Sequence, residues 1–142
     1  MSRSDRELVA EVIDRAYDIL EFEPGGHPDW ATGDELYSPR AVFALRVFPN
    51  DSEISIMTWH EYQESQMRDD LGGHGYSETP GDRVINVTSD IAMVRQDFTM
   101  NFRHRASAKA VDIFGLVRQA GSWRIVSVLS DVSAAPNPPG SH

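Results

Sequence analysis

The 142-residue chain carries 22 Asp and Glu against 13 Lys and Arg, a formal net charge of -9, and it contains no cysteine. The negative charge disfavours nucleic acid and anionic membranes as partners, and the lack of cysteine excludes a disulfide framework, a thiolate metal site and a cysteine nucleophile. The charged N-terminus and the absence of an apolar run of about 18 residues predict neither a signal peptide nor a membrane span, so we expect a cytoplasmic protein.

Three helices are predicted from capping signals and apolar spacing. A capping box at residues 4–7 precedes apolar positions at helical spacing, which predicts a first helix over about residues 5–20. A short second helix is expected over residues 29–37, ending before Pro39. The same capping logic at Thr58 and Glu61 predicts a third helix that ends near residue 71.

The remaining regular structure is predicted to be β. Short strands are expected first, and three long consecutive strands then form an antiparallel meander. The predicted strands cover residues 41–48, 54–57, 84–88, 91–102, 108–118 and 123–132. This order predicts one α+β domain over residues 1–133, a cup whose sheet wraps a pocket, while the tail at residues 134–142, with three prolines, is expected to be disordered.

Asp112 is the first candidate functional residue, because it interrupts an otherwise apolar strand. Inside a partly apolar site, loss of hydration would raise its pKa and make it an acid, a base or a hydrogen-bond donor. The alternative is an aspartate on an exposed or dimer-facing side, paired with Arg or Lys.

The face that Asp112 occupies depends on the loop near residues 104–107. With an odd number of loop residues, Asp112 shares a face with Gln96, Phe98 and Met100; with an even number, it shares one with Asp97, Thr99 and Asn101. We favour the first register, which places one acid and one amide among apolar walls, as in many small-molecule pockets.

Other residues are candidates for contact with a ligand, although aromatic residues at regular spacing are more often plain core. Tyr17 has an additional argument, since a buried hydroxyl on the first helix needs a partner, either a ligand oxygen or Asp112. The candidate ligand-contact residues are Gln96, Phe98, Phe114, Val128, Trp30, Phe43 and Tyr62.

Several kinds of chemistry lack their motifs in this sequence. The sequence has no Gly-x-Ser-x-Gly elbow, phosphate-binding Gly-rich loop, dinucleotide fingerprint or Cys/His cluster, which disfavours serine hydrolysis and nucleotide chemistry. The histidines show no metal-ligand spacing. We therefore expect neither a cofactor nor a metal.

Three segments carry a resemblance to known proteins: DELYSPRAVF at 34–43, DIAMV at 90–94 and DIFGLVRQAGSWRI at 112–125. Together with the order of elements, they resemble the SnoaL-like branch of the nuclear transport factor 2-like (NTF2-like) superfamily. The resemblance covers roughly residues 5–132. It implies a cystatin-like α+β roll: a strongly curved antiparallel sheet wrapped around the N-terminal helices, a deep and mostly apolar conical cavity, and often a homodimer through the outer sheet face.

The resemblance also implies roles for single residues. Asp112 is similar to the pocket acid of ketosteroid isomerases, and Tyr17 to their hydrogen-bonding tyrosine on the first helix. Their proton-abstracting aspartate would fall near residues 44–46, where this chain has Leu45. Dehydratases of this fold use a pocket His and Asp, which would require His60 or His74 to face inward.

Two functional hypotheses follow. In the first, the protein binds a small hydrophobic molecule and acts as a dimeric ligand-binding or accessory protein. In the second, it is a cofactor-free lyase, isomerase or cyclase acting on a small oxygenated apolar substrate, with Asp112 as acid or base, Tyr17 stabilising oxyanion charge and Gln96 orienting the substrate. The missing second acid or base favours the first.

Overall fold

The structure is a computed structural model that describes residues 3–47, 49–67 and 72–134. Within these residues, three helices lie in the N-terminal half together with two strands, and the C-terminal half forms the other four strands. The elements are α1 (Asp5–Asp18), α2 (Trp30–Leu36), β1 (Tyr37–Leu45), β2 (Ser55–Thr58), α3 (Trp59–Gln66), β3 (Tyr76–Thr88), β4 (Ile91–Phe102), β5 (Ala108–Gln119) and β6 (Ser122–Ala134).

The helices begin where the capping residues predict. The Ser4 hydroxyl accepts a hydrogen bond from the Glu7 amide at the start of α1. At the start of α3, Thr58 and Glu61 form the full reciprocal capping box. These bonds satisfy amide groups that a first helical turn leaves unpaired, so both starts are locally encoded. The predicted end of α3 near residue 71 lies outside the described residues.

All six strands form one sheet in the order β2-β1-β6-β5-β4-β3. The expectation of a purely antiparallel sheet is wrong at one pairing, because β1 and β6 are parallel. The last strand of the meander fills the free edge of β1 and runs in the same direction. The sheet is therefore mixed, and the curved α+β architecture is confirmed.

Two strands start earlier than predicted. β1 begins at Tyr37 and includes Pro39, which a register irregularity between residues 37 and 42 accommodates. β3 begins at Tyr76, eight residues before the predicted start, with an irregularity between Pro80 and Arg83. The predicted tail lies outside the described residues from residue 135 onward, and residue 134 ends β6.

The register of β4 and β5 follows the odd-loop alternative. Met100 pairs with Ala108, and Asp112 lies directly opposite Gln96. Asp112 is therefore on the inner, concave face, where it is 7% exposed. The same face packs against α1 through Tyr17, whose ring lies 5.7 Å from that of Phe98 and 6.0 Å from that of Phe114.

Candidate functional site

A small cavity lies between the inner face of the sheet and helices α1 and α3. The volume open to the centres of water molecules is ≈ 40 Å³. Because one water needs roughly 10–15 Å³ of such volume, the cavity has room for about three waters. The cavity is much smaller than the deep cone that the resemblance implies, since large rings fill the interior. The rings that border it are Tyr17, Tyr37, Phe43, Tyr62, Tyr76, Phe98 and Phe114.

Asp112 on β5 borders this cavity and accepts two side-chain hydrogen bonds. Tyr17 Oη donates to Asp112 Oδ2 at 2.6 Å, and the hydroxyl of Ser130, directly opposite on β6, donates the second. Burial raises the pKa of Asp112 to about 6, although both hydrogen bonds oppose the shift by stabilising the carboxylate. Asp112 is thus a buried carboxyl that titrates close to neutral pH.

Glu78 on β3 is a second carboxyl in the same cavity. Tyr76 Oη donates to Glu78 Oε2 at 2.5 Å. Burial raises the pKa of Glu78 to about 8, the negative charge of Asp112 adds to the shift, and the Tyr76 bond opposes it. Glu78 was not among the predicted site residues, because residues 76–83 contain Pro, Gly and polar residues, a composition that does not predict a strand. Tyr76 and Glu78 are two residues apart, so on a strand their side chains lie on the same face of the sheet. This spacing is the one feature of the sequence that could have predicted their proximity.

The start of β3 is fixed by a close backbone approach that brings Glu78 to the cavity. Phe22 and Tyr76 exchange backbone hydrogen bonds of 3.0 and 3.1 Å. Gly75 has φ +81, and a Cβ there would lie 2.8 Å from the Phe22 carbonyl oxygen. A side chain at residue 75 would therefore clash with the backbone pairing that positions Tyr76 and Glu78.

The tyrosines around the carboxyls are held neutral. Burial raises the pKa of Tyr17 far above its usual value, and the charges of Asp112 and Glu78 raise it further. Burial likewise raises the pKa of Tyr37, Tyr62 and Tyr76. Because ionised tyrosine is disfavoured beside two acids, these hydroxyls remain hydrogen-bond donors over the ordinary pH range.

No protein-family model matches the chain, and no curated protein matches it. Solved structures do match. An NTF2-like protein from Cytophaga hutchinsonii has a TM-score of 0.72 at 10% identity, covering 92% of this chain and 99% of its own. A cystatin-like-fold protein of unknown function from Nostoc punctiforme has a TM-score of 0.67 at 12% identity, covering 95% and 96%. The chain has the NTF2-like fold.

A candidate ketosteroid isomerase from Shewanella frigidimarina shares the NTF2-like fold, with a TM-score of 0.65 at 18% identity over 87% of this chain and 94% of its own. At such identities the likeness establishes the fold alone. The expectation of an NTF2-like, cystatin-like α+β fold is therefore confirmed. In the described part of the chain, no helix has the length and apolar character needed to cross a membrane.

Seven of the nine predicted site residues meet at this cavity of the NTF2-like fold, and two lie elsewhere. The seven are Tyr17, Phe43, Tyr62, Phe98, Asp112, Phe114 and Val128. Trp30 is half-buried and packs edge-on against Trp59 and Tyr62, with ring centroids 5.7 and 6.3 Å away. Trp30 does not border the cavity, but it packs against Tyr62, which does.

Gln96 is fully buried but serves the sheet and not the cavity. Arg83 Nε donates to its Oε1. Its Nε2 lies 3.0, 3.1 and 2.9 Å from the carbonyl oxygens of Gly81, Asp82 and Asp97. The predicted role of orienting a substrate does not fit this placement, because these bonds direct the amide to the irregular part of β3.

Neither histidine proposed from the dehydratase resemblance borders the cavity. The exposed His60 pairs with Glu64 at 3.1 Å, and His74 stacks on His104 with ring centroids 4.3 Å apart. Within the described residues, no group of three His, Asp or Glu side chains could hold a metal ion.

The acids of the cavity have no basic partner among the described residues. Arg46, which also borders the cavity, pairs with Asp131 at 2.5 Å, and Leu45 borders the cavity as an apolar group. Glu78 is the second carboxyl at the cavity, whereas position 45 carries none.

Proposed function

We propose that the protein is a cofactor-independent acid–base catalyst that acts on a small oxygenated and otherwise apolar molecule, with Asp112 as base and Glu78 as acid. The observation that carries this proposal is the pair of carboxyls, Asp112 buried and Glu78 half-buried, that face one cavity with different environments. In many active sites, the surroundings of two titratable groups push their pKa values apart. One group then acts as the acid and the other as the base.

Hydrogen bonding assigns the two roles. Asp112 accepts bonds from Tyr17 and Ser130, which stabilise its carboxylate, whereas Glu78 accepts one from Tyr76 and experiences the charge of Asp112. At neutral pH, Asp112 is therefore the ionised member and Glu78 the protonated one.

The reaction class is proton transfer next to a carbonyl group. Asp112 takes a proton from the carbon beside the carbonyl, the C–H electrons form a C=C bond, and the C=O π electrons move to oxygen, which takes the proton of Glu78. The product is an enol, with Asp112 protonated and Glu78 ionised. In the return step Asp112 gives a proton to the carbon, the C=O bond re-forms, and the enol O–H gives its proton back to Glu78, so both carboxyls regain their starting states. Exchange results when the proton on Asp112 has been replaced by solvent deuterium before it returns.

Hydrogen–deuterium exchange tests this proposal. We expect the protein to accelerate C–H exchange of hydroxyacetone in D₂O, measured by ¹H NMR. The rate should rise with pH as Asp112 ionises near pH 6 and fall as Glu78 ionises near pH 8. Asp112→Asn should remove the acceleration, and Glu78→Gln, which cannot give a proton to the substrate oxygen, should lower the rate at neutral pH and also remove the alkaline fall. The matched control is Asp97→Asn, on the opposite face of β4.

An exchange rate in wild-type protein no faster than in Asp112→Asn would contradict acid–base catalysis with this probe. The second candidate function is then binding of a small molecule without reaction, which the ≈ 40 Å³ volume favours because little room remains for a substrate to move. Binding without reaction is recognised by hydroxyacetone-induced NMR shifts at cavity residues in the absence of exchange.

We also propose that the protein forms a homodimer through the outer face of the sheet. One row of outward residues crosses all six strands by direct pairing: Ile56, Ala44, Leu129, Ile113, Arg95 and Val84. Ile56 is 76% exposed, Leu129 54% and Val84 54%. A row that is apolar except for Arg95, with three strongly exposed apolar side chains, is typical of an interaction surface.

Sedimentation tests the dimer. We expect twice the 15.9 kDa chain mass at micromolar concentration, and dissociation by Leu129→Arg, since a guanidinium at the centre of the row would be buried without a partner. Gln119→Arg, at the exposed end of β5, is the control and should stay dimeric. A wild-type mass near 15.9 kDa would refute the dimer.

A further inference from the structure

Three polar groups on the wall formed by β1 and α3 border the cavity without a hydrogen-bond partner. Gln66 is 5% exposed, Tyr62 6% and Tyr37 3%, and all three border the cavity. Within the described residues, neither the Gln66 amide nor the hydroxyls of Tyr37 and Tyr62 form a hydrogen bond, in contrast to Tyr17 and Tyr76, which donate to the acids.

These polar atoms open onto the cavity. No polar side-chain atom of Tyr37, Tyr62 or Gln66 is sealed inside the protein away from free space without a hydrogen-bond partner. Their polar atoms therefore touch free space, and the free space that the three residues share is the cavity. Buried polar groups in native proteins are normally satisfied, so an occupant supplies the missing partners.

The supporting geometry is rigid. Tyr62 and Gln66 are one turn apart on the same face of α3. The Tyr62 ring stacks on Phe43 at 4.3 Å with an interplanar angle of 7°, and the Tyr37 ring stacks on Trp59 at 4.5 Å. Because the rings are fixed by packing, the hydroxyl positions are set before a ligand arrives.

We infer that Tyr37, Tyr62 and Gln66 form an oxygen-binding subsite, so that the ligand carries a polar group at each end. One end meets Asp112 and Glu78, and a hydroxyl or carbonyl oxygen at the other end exchanges hydrogen bonds with the tyrosine hydroxyls and the Gln66 amide, at most two of which donate to it. The ligand class is a short dioxygenated molecule, such as a small diol or hydroxycarbonyl compound. This inference rests on the proposed function for the reacting end and extends it by naming the second end.

Two isosteric probes test it. Ethylene glycol and 1-propanol each have four non-hydrogen atoms and differ in whether the second end is a hydroxyl or a methyl group. We titrate each into ¹⁵N-labelled protein and follow the amide shifts of residues around the cavity. Wild-type protein should bind ethylene glycol about tenfold more tightly than 1-propanol, because 1-propanol leaves the subsite unsatisfied.

Variants locate the preference. Gln66→Met keeps the side-chain length and should remove most of the preference for ethylene glycol over 1-propanol. Gln63 is half-buried on the same helix and lies outside the cavity lining, so Gln63→Met should leave that preference unchanged. Tyr62→Phe keeps the stack on Phe43 and removes only the hydroxyl, so it tests the subsite independently if Gln66→Met fails to fold.

Equal binding of the two probes by wild-type protein, or an unchanged preference in both Gln66→Met and Tyr62→Phe, would overturn the subsite and leave water as its occupant. This result is distinguishable from failure of the proposed function. A Gln66-dependent preference without exchange of hydroxyacetone supports the subsite and contradicts catalysis. Asp112-dependent exchange without a preference between the two probes supports catalysis and contradicts the subsite.

Discussion

Glu78→Gln is expected to raise the free energy of unfolding at pH 9 by about 3 kcal/mol. In the wild-type protein, Glu78 is ionised at this pH although its carboxyl lies among aromatic rings and faces Asp112. Glutamine has nearly the same shape, can still accept the Tyr76 hydrogen bond and carries no charge. The variant therefore loses an unfavourable buried charge at little cost in packing.

The sign of the pH dependence follows from proton binding. The folded-state pKa of Glu78, about 8, lies above its ordinary value of 4.5, and that of Asp112, about 6, lies above 3.8. At a pH between the unfolded-state and folded-state pKa values of a carboxyl group, the folded chain holds a proton that the unfolded chain has released. The contribution of these groups to the free energy of unfolding is therefore full below about pH 4, falls as the pH rises and levels off above about pH 8.

Urea unfolding at pH 5, 7 and 9 measures this effect. Wild-type protein should lose stability across the series, and Glu78→Gln should lose less. Glu53→Gln, at an exposed loop position, is the control and should follow the wild type. Equal stability of Glu78→Gln and wild type at pH 9 would show that the Glu78 carboxyl is hydrated, and the acid role assigned to it would then be untenable.

Gln96→Leu is expected to lower the free energy of unfolding by about 3 kcal/mol. Gln96 is 0% exposed. Its amide donates within the fold to the carbonyls of Gly81, Asp82 and Asp97, and it accepts from Arg83. Leucine fills a similar volume but removes the hydrogen-bond partner of three backbone carbonyls and of Arg83.

Urea unfolding at pH 7 tests this expectation, with Gln119→Leu at the exposed end of β5 as the control, for which we expect a change below about 0.5 kcal/mol. A loss below about 1 kcal/mol in Gln96→Leu would mean that the freed carbonyls find other partners. The expected loss would show that the buried amide holds the irregular part of β3, the strand that carries Glu78, and that its function is structural.

Stability and site chemistry oppose each other in this cavity. A well-packed apolar side chain in place of either acid would remove a desolvated carboxyl, yet the fold carries both and supports each with a tyrosine donor. Destabilising buried charge of this kind is typical of functional sites. The proposed catalytic pair and the predicted gain from Glu78→Gln therefore rest on the same physical cause.

Much of the Asp112 half of the site could be predicted from the sequence. An isolated carboxylate in an apolar strand, the parity of the preceding loop and a helix tyrosine that needs a partner lead to the observed arrangement. Asp112 lies opposite Gln96 on the inner face, and Tyr17 donates to it at 2.6 Å. Strand alternation and helix periodicity are local rules, so these features follow from neighbouring residues.

The helix starts and the meander were thus determined by the sequence itself, because caps, turns and alternation act over a few residues. The sequence left two registers of β4 with β5, and the structure has the favoured one, which buries Asp112. The tertiary structure alone decided that β6 runs parallel to β1, that Glu78 joins Asp112, that Gln96 turns to the backbone of β3, and that the rings leave ≈ 40 Å³ free. These features depend on which distant segments meet and on the summed packing of many side chains, and no local pattern encodes either quantity.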